Sequence, residues 1–160
     1  MQRFAVGIEF CGMHYRGWQT QQPGVASVQE TIEKVLSKVA DQPISLHGAG
    51  RTDAGVHALA QTVTFTTNGR IPCANLVRAA ASLLPEDIVV VSAEEMPEGF
   101  HARFSAKWKR YCYRIVLNGD YDPFIRNYAW QMQNTKLNIE TMNMAAGFLL
   151  LGAGEAGLPL

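Results

Sequence analysis

Residues 27–40 read "SVQETIEKVLSKVA", and the rest of the chain is parsed outward from them. Val28, Ile32, Val35, Leu36 and Val39 return every three or four positions, which puts them on one face of a helix. Ser27, with Glu30 three residues on, forms a capping box: hydroxyl and carboxylate satisfy backbone donors that the first helical turn leaves without partners. Such a helix needs an apolar surface to cover, and its neighbours supply one. Upstream, "RFAVGIEF" (3–10) alternates Phe4, Val6, Ile8 and Phe10 on one face, a half-buried strand. Downstream, "ISLHGA" (44–49) reads as a short strand and "AQTVTFTT" (60–67), β-branched and alternating, as another. "CANLVRAAASLL" (73–84) is helical and ends at Pro85, and "DIVVVSAEE" (87–95) is a strand. The order β-α-β-β-α-β predicts an α+β fold, the ferredoxin-like split βαβ arrangement with a mainly antiparallel sheet. Beyond it, "KWKRYCYRIVL" (107–117) reads as a longer strand, "NGDYDP" (118–123) as a turn cluster and "NIETMNMAAGFLL" (138–150) as a helix. No internal repeat appears at solenoid periods.

Composition sets broader limits. The 160 residues are 48% apolar and 18% charged, which suits a globular domain rather than a disordered one. Lysine plus arginine and aspartate plus glutamate number 14 each, so any argument for a polyanionic partner must be local. No window approaches the roughly 18 apolar residues of a membrane span, and the N-terminus has no apolar leader core. Cys11, Cys73 and Cys112 are widely spaced and odd in number, giving neither a disulfide framework nor a metal pattern. They read as small buried filler in a reducing cytoplasm.

Chemistry concentrates in residues 48–58, "GAGRTDAGVHA". Small residues let a partner approach the backbone and permit turns that larger residues resist. Asp53 has two readings here. Its carboxylate could cap its own backbone in an Asx-turn. Alternatively it is presented to a ligand, with Arg51, on the same side of an extended stretch, pairing with it and aiming it for nucleophilic or general-base work. The glycines do not make a nucleotide loop: a Walker A loop needs a Gly-Lys-Ser/Thr ending, and a Rossmann fingerprint needs a helix where this chain has a strand. His57 reads as a structural histidine, since no serine or cysteine nucleophile stands in a suitable setting.

A second stretch, "HARFSAKWKRYCYR" (101–114), carries Arg103, Lys107, Lys109, Arg110 and Arg114 without an acidic residue, interleaved with Phe104, Trp108, Tyr111 and Tyr113. Cations for phosphates and rings for unstacked bases suit a nucleic-acid groove. The same pattern suits an edge strand protected by charge. A third stretch, "YRGWQTQQPG" (15–24), is a polar loop anchored by Trp18.

Together the three resemble the TruA family of tRNA pseudouridine synthases. The family's Gly-Arg-Thr-Asp-Ala-Gly-Val-His run is unbroken at Gly50–His57. Its Tyr-x-Gly-Trp-Gln-x-Gln segment appears as Tyr15, Gly17, Trp18, Gln19 and Gln21. Its Phe-His-Ala-Arg-Phe-Ser-Ala run is Phe100–Ala106, followed by Arg110, Tyr111 and Tyr113. The resemblance implies that Asp53 is the catalytic carboxylate, acting without metal or organic cofactor on a uridine turned out of the tRNA anticodon stem-loop at positions 38, 39 or 40. It implies that Arg51 pairs with Asp53 and fills the gap left by the flipped base. Tyr111 then stacks on the target uracil, and Arg103, Lys107, Lys109 and Arg110 contact RNA. Attack on ribose, attack on uracil and removal of a ribose proton all stay open as the role of the carboxylate.

Family members have two similar halves and form homodimers. The expected division is a catalytic half at 1–118 and the start of a second half at 119–160. After "AAGFLL" the family continues into a Gly-x-His-Asp-Phe-type segment, whereas this chain reads "LGAGEAGLPL". The expectation is a chain truncated or altered near residue 150, and so an inactive fragment. Two alternatives stand beside it: a non-catalytic tRNA-binding module, and a non-RNA ferredoxin-like domain whose motif is a structural turn, against which the intact Arg51, Asp53 and Tyr111 set argues.

Overall fold

A computed structural model of the chain describes residues 1–19, 24–119 and 121–151. The chain divides into two compact units, Met1–Ala106 and Lys107–Leu160. In the first unit the elements run β1 (Gln2–Phe10), α1 (Val28–Ala40), β2 (His47–Gly48), β3 (Ala58–Thr67), α2 (Cys73–Leu83) and β4 (Ile88–Met96). The strands form one antiparallel sheet in the order β2-β3-β1-β4, so the class is α+β with a mainly antiparallel sheet.

Alternation in β1 decides which face is dry. Phe4, Val6, Ile8 and Phe10 are buried while Arg3, Ala5 and Gly7 are only partly so. Phe4 pairs directly with Phe65 on β3, and their rings stack with centroids 5.2 Å apart. Val28, Ile32 and Leu36 of α1, and Leu76 and Ala80 of α2, join the same cluster, so both helices serve that face. Each fully buried Leu, Ile or Phe side chain contributes about 1.5–3 kcal/mol. Ser27 caps α1 by accepting from the Glu30 amide at 3.2 Å, as its sequence predicts. Asp41 ends the helix in the left-handed conformation, with φ 49°.

The strand expected at 44–49 shrinks to His47–Gly48. Side chains of α1 have taken over its backbone: the Ile44 amide donates to Ser37 Oγ at 2.9 Å and the Leu46 amide to Glu33 Oε1 at 2.8 Å. Ile44 and Leu46 still bury their side chains.

The second unit contains β5 (Ile115–Leu117), β6 (Trp130–Met132) and α3 (Ile139–Leu151). The two short strands pair in parallel, Ile115 opposite Trp130. The strand expected over 107–117 is therefore confined to its last three residues. A strand persists only where a neighbour supplies donors and acceptors, and residues 107–114 are exposed and outside any ladder. Asn138 Oδ1 accepts from the Thr141 amide at 3.0 Å and starts α3. Among the described residues, none after Ala102 is buried. The side chain of Leu149 and the tail from 152 lie outside the described residues.

Candidate active site

The loop bearing Asp53 leaves the sheet between β2 and β3. Its first residues stay tied to β3: the Ala49 amide donates to the Thr62 carbonyl at 2.8 Å, and Gln61 Nε2 to the Gly50 carbonyl at 2.6 Å. Residues 51–53 alternate, Arg51 and Asp53 exposed and Thr52 half-buried. The chain then turns back through Asp53–Val56, closed by the Val56 amide on the Asp53 carbonyl at 3.2 Å. Gly55 takes φ +78° at the third position of that turn, the place where a type II turn demands glycine. His57 is half-buried, with Nδ1 shut off from solvent.

The loop after β1 braces this turn from behind. The Trp18 amide donates to the Thr52 carbonyl at 2.9 Å. Gly17, at φ +92°, packs so closely that a β-carbon on it would stand 2.7 Å from the Thr52 carbonyl oxygen and 3.3 Å from the Asp53 carbonyl carbon. Gly12 is pressed against the Val56 carbonyl in the same way. The brace is itself held by α1, whose Val28 and Gln29 amides donate to the Gly17 and Trp18 carbonyls at 3.2 and 2.9 Å. Helix-end donors that would otherwise lack partners thus fix the loop under Asp53. Trp18 is buried, its ring against Gly48 and 6.0 Å from that of Phe10. Tyr15 is buried too, and its hydroxyl donates to Asp87 Oδ1 at 2.7 Å. Burial first, then the Asp87 bond and charge, then Cys11, raise the Tyr15 phenol well above the ordinary tyrosine range.

Among the described residues the Asp53 carboxylate has no hydrogen-bond partner, its own backbone amides included, so the Asx-turn reading does not describe it. The expected Arg51–Asp53 ion pair is also absent: among the described residues, the ion pair found joins Lys34 and Glu30 at 2.6 Å. Arg51 and Asp53 are both exposed, where water competes and such pairs gain little. Arg103 lies on a tight turn at 100–105. That turn is closed by the Ser105 amide on the His101 carbonyl at 2.8 Å and the His101 amide on Ser105 Oγ at 3.1 Å. The Ala102 amide reaches Thr64 Oγ1 at 3.4 Å, and the His101 ring lies 5.2 Å from that of His47 and 4.5 Å from that of Phe104. The Arg103 guanidinium sits over Phe104, 5.8 Å from its centroid.

Arg51, Asp53 and Arg103 thus belong to the first unit, while Lys107, Lys109, Arg110 and Tyr111 belong to the second. All four of the latter are exposed, Tyr111 at 70%, and Arg110 lies 5.9 Å from the Trp108 ring centroid. Gln21 falls outside the described residues. Asp87 escaped the sequence reading, since a lone carboxylate at a helix–strand junction carries no pattern. Among the described residues, no group of three or more His, Cys, Asp or Glu side chains is arranged to hold a metal ion.

An antiparallel sheet with both helices on one face, and the exposed Asp53 on a braced loop at its end, define an α+β unit. The family model described as tRNA pseudouridine synthase matches residues 7–105, more than half the chain. The chain belongs to the TruA family of tRNA pseudouridine synthases. It is 54% identical over 146 residues to "tRNA pseudouridine synthase A" of Acinetobacter baumannii (strain ATCC 17978), covering 91% of this chain and 55% of that protein. It is 51% identical to the protein of that name from Acinetobacter baylyi, again over 91% of this chain and 54% of the relative. Against that of Thermoanaerobacter sp. (strain X514) the figures are 46%, 94% and 61%. The chain therefore spans little more than half the length of the curated relatives it matches.

Proposed function

We propose that the chain provides the catalytic half of an enzyme that isomerises uridine to pseudouridine at positions 38, 39 and 40 of the tRNA anticodon stem-loop, with Asp53 as the catalytic carboxylate. The observation that carries the reading is the Asp53 loop: exposed, without a hydrogen-bond partner for its carboxylate among the described residues, and held by backbone contacts on both sides. Every chemical route open to this carboxylate requires it ionised and close to the nucleotide, and the small residues around it leave room for a flipped base. Extrusion of that base costs a few kcal/mol, which stacking and phosphate contacts must offset. Tyr111 is the proposed stacking ring, Arg51 fills the vacated place in the helix, and Arg103, Lys107, Lys109 and Arg110 grip phosphates.

The ferredoxin-like arrangement belongs to the same proposal, supported by the element order β-α-β-β-α-β and the strand order β2-β3-β1-β4. The functional halves divide at about residue 118. Homodimerisation and a cytoplasmic setting complete the reading. Among the described residues, no helix is long and apolar enough to cross a membrane.

The test is pseudouridine formation in tRNA transcripts by a chimera that joins this chain, at about residue 150, to the second half of a full-length relative. Asp53→Asn and Asp53→Ala are expected to abolish turnover and leave tRNA affinity largely intact. Residual turnover within about tenfold, roughly 1.4 kcal/mol of barrier, would remove Asp53 from the chemistry. A second reading, a tRNA-binding module without catalysis, is favoured by the exposed aromatic and basic side chains of 107–114. It predicts anticodon stem-loop binding by the 160-residue chain at low salt, weakening as salt rises, with no conversion of uridine by the chimera.

A further inference from the structure

Asp87 lies between α2 and β4, outside every motif that carries the family resemblance. It nevertheless holds both ends of a short segment. The Cys11 amide donates to its carbonyl at 2.9 Å, and the Tyr15 hydroxyl to its carboxylate at 2.7 Å. Between these two anchors runs a tight turn at Gly12–His14, closed by the Tyr15 amide on the Gly12 carbonyl at 3.1 Å. Gly12 is the residue pressed against the Val56 carbonyl, and Val56 closes the Asp53 turn.

The other end of the brace, Gly17 and Trp18, is fixed independently by the first amides of α1. Asp53 is thus gripped at two points: residue 52 through α1, and residue 56 through Asp87. The hydroxyl-to-carboxylate bond is short, and burial of Tyr15 protects it from water.

We propose that Asp87, through its hydrogen bond to Tyr15, is a positioning residue for Asp53. The role rests on the reading of Asp53 given above. Neither Asp87 nor Tyr15 touches substrate in this account; they set where the Asp53 carboxylate stands. A hydrogen bond formed between residues 15 and 87 couples the start of β4 to the catalytic loop, so a change at 87 is felt at 53 without contact.

Amide hydrogen exchange on the 160-residue chain tests the wiring without any need for activity. Tyr15→Phe and Asp87→Ala are expected to speed exchange at Val56 by about tenfold or more through local opening, with the β1–β3 ladder unchanged. Asp87→Asn keeps an oxygen acceptor and is expected to behave like the parent. In the chimera, Tyr15→Phe and Asp87→Ala are expected to lower kcat about tenfold at unchanged KM for tRNA, with activity restored in Asp87→Asn. An unchanged Val56 amide overturns the proposal, as does uniform acceleration across the sheet, which would make Tyr15 a fold-wide stabiliser. A loss confined to KM also overturns it. Should Asp53→Asn stay active, the functional reading of Asp53 falls and the catalytic part of this proposal with it, while the exchange data still decide whether Asp87 holds the loop.

Discussion

At the scale of single residues, exposure separates the proposed substrate-facing side chains from those that hold the fold. Tyr111 and Tyr15 are the same amino acid in opposite settings, one exposed in a segment without regular structure, the other buried against a carboxylate. Tyr111→Phe keeps a stacking face and should leave turnover and affinity near the parent in the chimera. Tyr111→Ala should lose roughly 1–3 kcal/mol of base stacking, read as weaker anticodon stem-loop binding. Equal and negligible effects of both changes would deny it the stacking role. Tyr15 makes a prediction about pH. Its folded-state titration lies above its unfolded one, so the neutral phenol stabilises the fold. That contribution is fully present below about pH 10, where the unfolded phenol is also neutral, and is lost as pH rises beyond it. Urea unfolding of parent and Tyr15→Phe at about pH 8 and about pH 11 should show the parent losing roughly 1.4 kcal/mol per pH unit relative to the variant over that upper range. The two falling in parallel would mean that Tyr15 ionises freely in the fold.

At the scale of elements, α1 organises the site as well as the core. Ser27 is buried and accepts from the Glu30 amide, and the next two amides hold the brace under Asp53. Ser27→Ala should cost about 1 kcal/mol of stability, measured as a lower urea midpoint. A change under about 0.3 kcal/mol would show that the neighbouring carbonyls suffice as a cap. What made α1 legible from sequence was locality: its apolar period and its cap both lie within 14 residues. The same holds for β1, β3, α2 and β4, each read from its own pattern. Legibility failed where backbone partners came from elsewhere. Ile44 and Leu46 have strand-like side chains, yet Ser37 and Glu33 claim their amides. Residues 107–114 alternate as a strand should, but alternation cannot supply a neighbour. In the site, the exposure of Asp53 was legible from its small neighbours, whereas the Arg51–Asp53 pair that the spacing suggested does not form, since proximity in sequence does not overcome solvation. Asp87 was out of reach because it meets Tyr15 across 72 positions.

At the scale of the whole molecule, apolar burial is uneven. Among the described residues, the buried hydrophobic ones all belong to the first unit, from Phe4 to Ala102. In the second, Phe124, Trp130, Ile139, Met142, Met144 and Phe148 are exposed, and α3 is apolar around much of its circumference. A helix with that composition gains nothing from water and is stabilised by whatever covers it. β4 adds a further opening: among the described residues its ladder partner is β1, on one side only, and Val89 and Val91 are exposed along it. Glu94 and Glu95 place charge towards its end, which discourages edge pairing there and not at the valines. Exposed apolar surface, on α3 and separately along β4, drives association. The 160-residue chain is therefore expected to self-associate, with sedimentation showing species larger than the 17.6 kDa monomer that shift upward with concentration. Met144→Asp with Phe148→Asp should move the distribution towards monomer, because each places a charge that association would have to desolvate. Joining the chain to a relative's second half should do the same if that half covers α3. A monodisperse monomer of the unmodified chain would refute the prediction, and would mean that the apolar side chains of α3 are tolerated in water without a partner.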